Sequence, residues 1–282
     1  MRCYYHPDPD GMASAYSVKK FFSTENIEFI RAKYESTYDF STLQPNEKVV
    51  LVDFALSPQS FKELLQKTAD VIWIDHHKRF MNPEYNEFKL IPGIRSLDDA
   101  ACVLTWNYFF PTMKIPKAIE LIGDFDAWHW KFKEETRYFL EATYLYDLSP
   151  NSGFWNDLFT IRHFMVRMIE QGHNVYQYKT KFCDRQISTI GQEVEFEGRT
   201  CFAINISGYD SEYFENLEKD YPIKIMYTDL GDKFSVQLRS KSVDVKEIAE
   251  KFGGGGHTGA SGFRCVEKPW KFIRKLPKEE ID

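Results

Sequence analysis

Three short apolar runs each end in acids or histidines. Cys3-Tyr4-Tyr5 leads into His6-Pro7-Asp8-Pro9-Asp10-Gly11, Val49–Val52 into Asp53, and Val71–Ile74 into Asp75-His76-His77. If these runs are neighbouring strands of a parallel sheet, their carboxyl ends converge on one crevice. Up to four carboxylates and three imidazoles would then meet there. So many acids in one place repel each other and hold protons more tightly, and a cation relieves the repulsion. A donor set of carboxylate and imidazole without thiolate favours Mn²⁺ or Mg²⁺, with Fe or Co²⁺ compatible, over structural zinc. The number of donors suits two ions sharing a carboxylate. A pair about 3.5–4 Å apart fits in-line attack on a phosphoester by an activated hydroxide.

Completing two coordination shells takes one more acid. Leu121-Ile122-Gly123-Asp124-Phe125-Asp126 offers two, after an apolar helical run. Asp124 is preferred because it directly ends the run, and the spacing leaves Asp126 open. A single Asp at a strand end is ordinarily a turn former; the repetition over three strand ends argues for a site. His129, His163 and His173 lack acidic company and are read as structural or surface residues.

A second constellation lies near the other end, in Phe252-Gly253-Gly254-Gly255-Gly256-His257-Thr258-Gly259. Successive glycines expose backbone N–H groups and admit close approach, so such a loop can cradle an anion. His257 is placed to donate to a phosphate, and Arg239-Ser240-Lys241 puts two cations and a hydroxyl at the end of an expected strand.

The elements that must position these residues alternate between short β-rich runs and helical patterns over the first 130 or so residues, the rhythm of βαβ units. Strands are expected at Arg2–Tyr5, Ile27–Tyr34, Lys48–Val52 and Val71–Ile74. Helices are expected over Met12–Phe22, from Ser57-Pro58 onward, over Asp98–Phe110 and over Ile115–Ile122. Phe154–Ile190 has helical spacing and reads as a connector. A second α/β unit follows, with strands at Thr200–Ile206, Ile223–Thr228 and Phe234–Arg239 and a helix at Val243–Phe252 ending in glycine. A break in pattern at Ser149–Gly153 sets the expected division into residues 1–150, 151–195 and 196–282.

At 282 residues, 43% hydrophobic and 28% charged, the chain is long enough for two folded domains and is not disordered. No run approaches the roughly 18 apolar residues of a membrane span, and the N-terminus lacks the apolar core of a secretory signal, so a cytoplasmic protein with no membrane partner is expected. The five cysteines form no CxxC pair, which argues against a disulfide framework and a thiolate zinc site. The net charge of −6 argues against coating a long duplex, whose binding draws on many neutralised phosphates. A short, highly charged ligand remains compatible, because bound metal ions supply positive charge.

Together the two constellations resemble the DHH phosphoesterase superfamily, in the branch with a C-terminal DHH-associated domain. His6–Ala15 looks like its first motif, Val52-Asp53-Phe54 its second, Ile74–His77 its third, Ile122–Asp126 its fourth, and Arg239–Phe263 the core of the associated domain. Some members place the first histidine four residues before the Asp-x-Asp pair; here His6 is two before Asp8, and Tyr4 holds the farther position. The resemblance implies an α/β fold in which a parallel-sheet catalytic domain and a smaller mobile domain face each other across a cleft. It implies a two-Mn²⁺ centre with metal-site residues His6, Asp8, Asp10, Asp53, His76 and Asp124, Asp126 remaining the alternative to the last, and Asp53 as the bridge. Asp75 would orient an imidazole and His77 would contact the scissile phosphate. Arg239, Ser240 and Gly253–His257 (Gly254, Gly255 and Gly256 within it) would hold the distal phosphate or nucleotide. The expected activity is hydrolysis of short oligonucleotides, RNA or single-stranded DNA, to 5′-mononucleotides. The alternatives are a cyclic-nucleotide or linear-dinucleotide phosphodiesterase with phosphoadenosine phosphatase activity, or an inactive nucleotide sensor. Homodimer formation is an open option.

Overall fold

A computed structural model of the chain describes residues 1–33, 36–209, 211–214, 217 and 219–275. It divides into two compact units, Met1–Val175 and Tyr176–Asp282.

The N-terminal unit opens with β1 (Arg2–Tyr5), α1 (Pro9–Phe21), β2 (Glu28–Arg31), β3 (Val49–Val52), α2 (Pro58–Leu65) and β4 (Val71–Ile74). The strands form an all-parallel sheet in the order β2-β1-β3-β4. The last residue of the expected Ile27–Tyr34 strand, Tyr34, lies outside the described residues. Both sheet faces are covered, as a parallel sheet requires. Val49 and Leu51 join a core with Phe61, Leu64 and Trp73, while Val50 and Val52 join another with Ala15, Val18 and Leu104. This is why β3 is apolar at every position.

Five helices follow: α3 (Ala101–Phe109), α4 (Lys117–Asp126), α5 (Glu134–Thr143), α6 (Phe154–Thr160) and α7 (Phe164–Ile190). The division between units falls within α7, not at residues 149–153. The physical reason is packing: Phe154, Trp155, Leu158, Phe164 and Met168 share one core with Ile119, Ile122 and Phe139. The expected connector is therefore partly core of the first unit.

The C-terminal unit contains β5 (Gln192–Phe196), β6 (Arg199–Asn205), β7 (Lys224–Asp229), β8 (Phe234–Arg239), α8 (Val245–Lys251), β9 (Gly255–His257), β10 (Ala260–Cys265) and β11 (Lys271–Lys275). The sheet order is β11-β5-β6-β7-β8-β10-β9. Among the described strands of this sheet, only the β6–β7 pair is parallel. Val245, Ile248 and Ala249 of α8 pack on Val236, Leu238 and Phe263. The chain is thus a two-unit α/β protein with one parallel and one mixed sheet, and no described helix is long and apolar enough to cross a membrane.

Candidate metal centre

β1, β3 and β4 are neighbours in the parallel sheet, so their carboxyl ends do deliver His6–Asp10, Asp53 and Asp75–His77 to one edge. Asp8 is the N-cap of α1: its Oδ1 accepts from Gly11 N at 2.9 Å and its Oδ2 lies 2.6 Å from His6 Nδ1. Pro9 begins the helix in a conformation its ring favours. Gly11 is required by close approach, since a Cβ there would stand 2.0 Å from the His6 carbonyl oxygen. The helix starts three residues earlier than its hydrophobic spacing predicts, and Asp10 therefore sits in its first turn. Asp10 is 1% exposed, and its two oxygens accept from Ala101 N (3.0 Å) and Cys102 N (2.7 Å) at the start of α3. That helix has no side-chain cap of its own, so Asp10 both caps α3 and faces the crevice.

Asp53 is the central group. Its φ of +54° turns the chain sharply after β3, a left-handed conformation that Asp tolerates better than most residues. Its side chain is 1% exposed, and neither carboxylate oxygen has a hydrogen-bond partner. A buried carboxylate without a donor is costly unless something positive meets it. Around it, His76 Nε2 lies 3.4 Å from Asp53 Oδ1, 3.6 Å from Asp10 Oδ2 and 3.2 Å from Asp126 Oδ2. His6 Nδ1 is 3.9 Å from Asp53 Oδ2. Asp75 is fully buried; its Oδ1 accepts from His76 N, His77 N and the His77 ring Nδ1 at 2.8, 3.2 and 2.8 Å. The last contact assigns the Nδ1 proton of His77 and fixes its ring.

Three sets of donor atoms lie within 4.8 Å of one another: His6, Asp8 and Asp53; Asp53, His76 and His77; and Asp10, His76 and Asp126. Asp53 belongs to two of them. The electrostatics follow from this crowding. Burial, then the charges of Asp10, Asp8, Asp126 and Asp75, push Asp53 well above the usual carboxylate range. Burial and the Asp10 and Asp8 carboxylates push Asp126 up to about 8. Burial lowers His76. Burial also opposes protonation of His77, but the hydrogen bond and charge of Asp75 outweigh it, and its affinity for a proton is raised. The donor set fits divalent cations: hard oxygens and imidazoles, no thiolate, and an uncompensated bridging carboxylate.

Several sequence expectations change in the structure. Asp124 does not join the cluster among the described residues. Its Oδ1 accepts from Lys131 N (2.7 Å), and its Oδ2 from Phe132 N (3.1 Å) and the Thr136 hydroxyl. These donors outweigh burial and lower its pKa. Asp124 closes the turn after α4, and Asp126, two residues on at the helix end, reaches His76 instead. The apolar run misled because α4 continues through Asp126. Ser240 is likewise a turn former: its hydroxyl donates to Pro222 O (2.6 Å) and accepts from Ser242 N and Val243 N. The glycine run is not an open loop of free amides. Gly253, at φ +75°, ends α8, donating to Glu250 O, while Gly254 N donates to Ala249 O, the paired bonds of a Schellman cap. Gly255 and Gly256 belong to β9 and pair with Gly262 and Ser261.

The register reveals a feature that residue types alone did not. Lys224 pairs with Arg239, Arg239 with Ala260, and Ala260 with His257. Directly opposed residues of antiparallel strands share a face, so Lys224, Arg239 and His257 form one basic row across four strands.

Residues 3–120 match the model of the DHH family, N-terminal domain. The chain is 26% identical over 278 residues to the uncharacterised protein R106 of Acanthamoeba polyphaga mimivirus, covering 90% of this chain and 64% of that one, so it spans under two thirds of that relative. It is 24% identical over 309 residues to the oligoribonuclease NrnB of Bacillus subtilis, covering 96% and 74%. Among solved structures, the DHH domain of a protein described as a member of a family of ribosomal proteins superposes with a TM-score of 0.56 at 13% identity, covering 96% of this chain and 82% of that one, a likeness of fold. The family match begins in β1 and spans all three acid-bearing strand ends, so over residues 3–120 the chain carries a domain that matches the N-terminal domain of the DHH family.

Proposed function

We propose that the protein is a divalent-metal-dependent phosphodiesterase that hydrolyses short oligonucleotides to 5′-mononucleotides. The observation that carries this reading is Asp53: two buried, unpartnered oxygens shared by two sets of ligand atoms. The family match and the likeness to an oligoribonuclease support it. His6, Asp8 and Asp53 would hold one ion, and Asp10, Asp53, His76 and Asp126 a second, with Mn²⁺ the first choice and Mg²⁺ or Co²⁺ compatible. When bound, such ions neutralise the carboxylates, polarise the phosphoryl oxygens and lower the pKa of water.

The chain's own residues do the rest. Asp75 holds the His77 ring through Nδ1, and that ring would contact the scissile phosphate. Protonation of His77 is favoured by that same contact, so positive charge is held ready where negative charge develops. Asp10, anchored on two backbone amides of α3, keeps the helix start and the strand end in fixed relation. Within the C-terminal unit, Lys224, Arg239 and His257 share one register row and are that unit's candidate phosphate contacts. A short substrate fits the acidic chain better than a long one.

An assay panel tests this: chelator-stripped protein reloaded with Mn²⁺ or Mg²⁺, offered the dinucleotide pApA, a five-nucleotide RNA, 5′-phosphorylated single-stranded DNA, cyclic dinucleotides and pyrophosphate. Metal-dependent release of 5′-mononucleotides, fastest from the shortest linear RNAs, is expected. Turnover of pyrophosphate alone, or equal turnover with and without metal, contradicts the reading.

A further inference from the structure

We propose that the aromatic turn after α4, centred on Trp128 and Trp130, is a nucleobase-stacking platform beside the candidate metal centre; this rests on the oligonucleotide reading above. Trp128 is 60% exposed, so its indole contributes little to folding where it stands. The turn is also costly to make. Trp128, Trp130 and Lys133 have φ of +57°, +54° and +51°, a region in which bulky side chains are genuine outliers. Folding alone would favour Gly or Asn at such positions. Strain of this kind persists only where surrounding contacts impose it, and it concentrates at ligand sites.

Here the imposing contacts come from Asp124. Its carboxylate takes the amides of Lys131 and Phe132 and the hydroxyl of Thr136. Its main-chain oxygen takes the amides of His129 (2.9 Å) and Trp130 (3.4 Å). The result is a fixed aromatic group. Phe125 lies 5.8 Å from Trp128 and 5.7 Å from Trp130 between ring centres, and the two indoles are 5.2 Å apart at 82°. The Arg137 guanidinium lies over the Trp130 ring at 4.7 Å. Exposed His129, Lys131 and Lys133 alternate with the aromatics, a basic stretch in a chain of net charge −6. Aromatic faces interleaved with cations suit a base and its phosphates, with little preference among bases.

Placement connects the platform to chemistry. Asp126, which meets His76 Nε2 at 3.2 Å, precedes Trp128 by two residues, so their Cα atoms are within about 7 Å. A base resting on Trp128 would keep its own phosphate near the acid cluster. Asp124 is on this account a positioning residue: it shapes the platform rather than holding an ion.

The test compares wild type, Trp128→Ala and Trp128→Phe in two ways. The first is quenching of tryptophan fluorescence by adenosine in metal-free protein, which needs neither turnover nor metal. Saturable quenching is expected in wild type, about tenfold weaker affinity in Trp128→Ala, and substantial recovery in Trp128→Phe. The second is steady-state hydrolysis of pApA and of the same dinucleotide with one adenine replaced by hydrogen, at each position in turn. Trp128→Ala should raise KM for pApA about tenfold with kcat nearly unchanged, and should make no difference for one of the two abasic analogues. Absence of quenching in wild type, or equal affinity in wild type and Trp128→Ala, overturns the platform. Quenching as expected with no turnover of pApA by wild type under any metal overturns the proposed hydrolysis instead and leaves the platform standing.

Discussion

In the parallel sheet the acidic side chains meet at the carboxyl ends of three adjacent strands, whereas in the mixed sheet the basic ones run sideways along a single register row. The first arrangement concentrates charge at a point; the second spreads it over a wall about three strand spacings of roughly 4.8 Å wide. The contrast teaches how each sheet type builds a polar site. A parallel sheet aims all its strand ends one way, so residues far apart in sequence converge without any loop being long. An antiparallel sheet scatters its strand ends, and its like residues meet through pairing register. The acidic point is electrostatically strained, as the raised affinities of Asp53 and Asp126 for protons show.

Breaking the acidic point should have the largest effect. His76→Ala removes the ring that lies within 3.6 Å of three carboxylates and should lower kcat by on the order of 10³-fold, because the ion it would help hold supplies the charge that stabilises the phosphoryl group. Neighbouring acids sharpen the comparison further. Asp126→Asn should weaken Mn²⁺ binding at least tenfold, read by calorimetry, with little change in thermal midpoint. Asp124→Asn should do the reverse, retaining Mn²⁺ affinity while losing about 1.5–3 kcal/mol of stability, the range for hydrogen bonds to a charged group. Matching metal affinities for the two variants would contradict the division of labour.

In the basic row, Arg239→Ala should raise KM about tenfold and leave kcat nearly unchanged, because uniform binding is removed. Ser240→Ala, one residue away, should leave KM alone and cost about 1 kcal/mol in urea unfolding, as for other lost side-chain turn contacts. A KM effect of equal size at both positions would mean that the row is not what binds.

The smallest effect concerns the metal-free protein and pH. Asp53 and Asp126 hold protons more tightly folded than unfolded. Below the ordinary carboxylate range both states are protonated and nothing is lost. As pH rises from about 4 toward about 8, the unfolded chain ionises first, so stability falls through that window. The urea midpoint of chelator-treated wild type should therefore decline across it, and less so for Asp126→Asn. A midpoint that rises throughout would contradict the crowding.

The strands most legible in sequence are short apolar or β-rich runs bounded by clear turns or charged residues. Val71–Ile74 and Arg2–Tyr5 agree with expectation to the residue: the first is apolar and buried along its whole length, and the second is buried at every position after Arg2. Phe234–Arg239, placed by the Asp229–Asp232 turn before it, also agrees with its expected bounds. Gln192–Phe196 was missed because a buried charge interrupts it: Glu193 is 3% exposed, held by Lys219 and by the Tyr221 hydroxyl at 3.0 Å. Glu134–Thr143 was missed because it begins with charged residues and no side-chain cap. In the site, residue type and strand-end position pointed to Asp10, Asp53 and His76. The choice between Asp124 and Asp126 depended on where three donors of a later turn would fall, which no local pattern records.

The most direct test of the account is a calorimetric titration of chelator-stripped protein with Mn²⁺, comparing wild type with Asp53→Asn. Wild type should bind two ions per chain, and the variant should lose at least one of them because Asp53 meets a proposed ligand of each ion, His6 on one side and His76 on the other. Identical stoichiometry and affinity in the two proteins would contradict a centre built around Asp53.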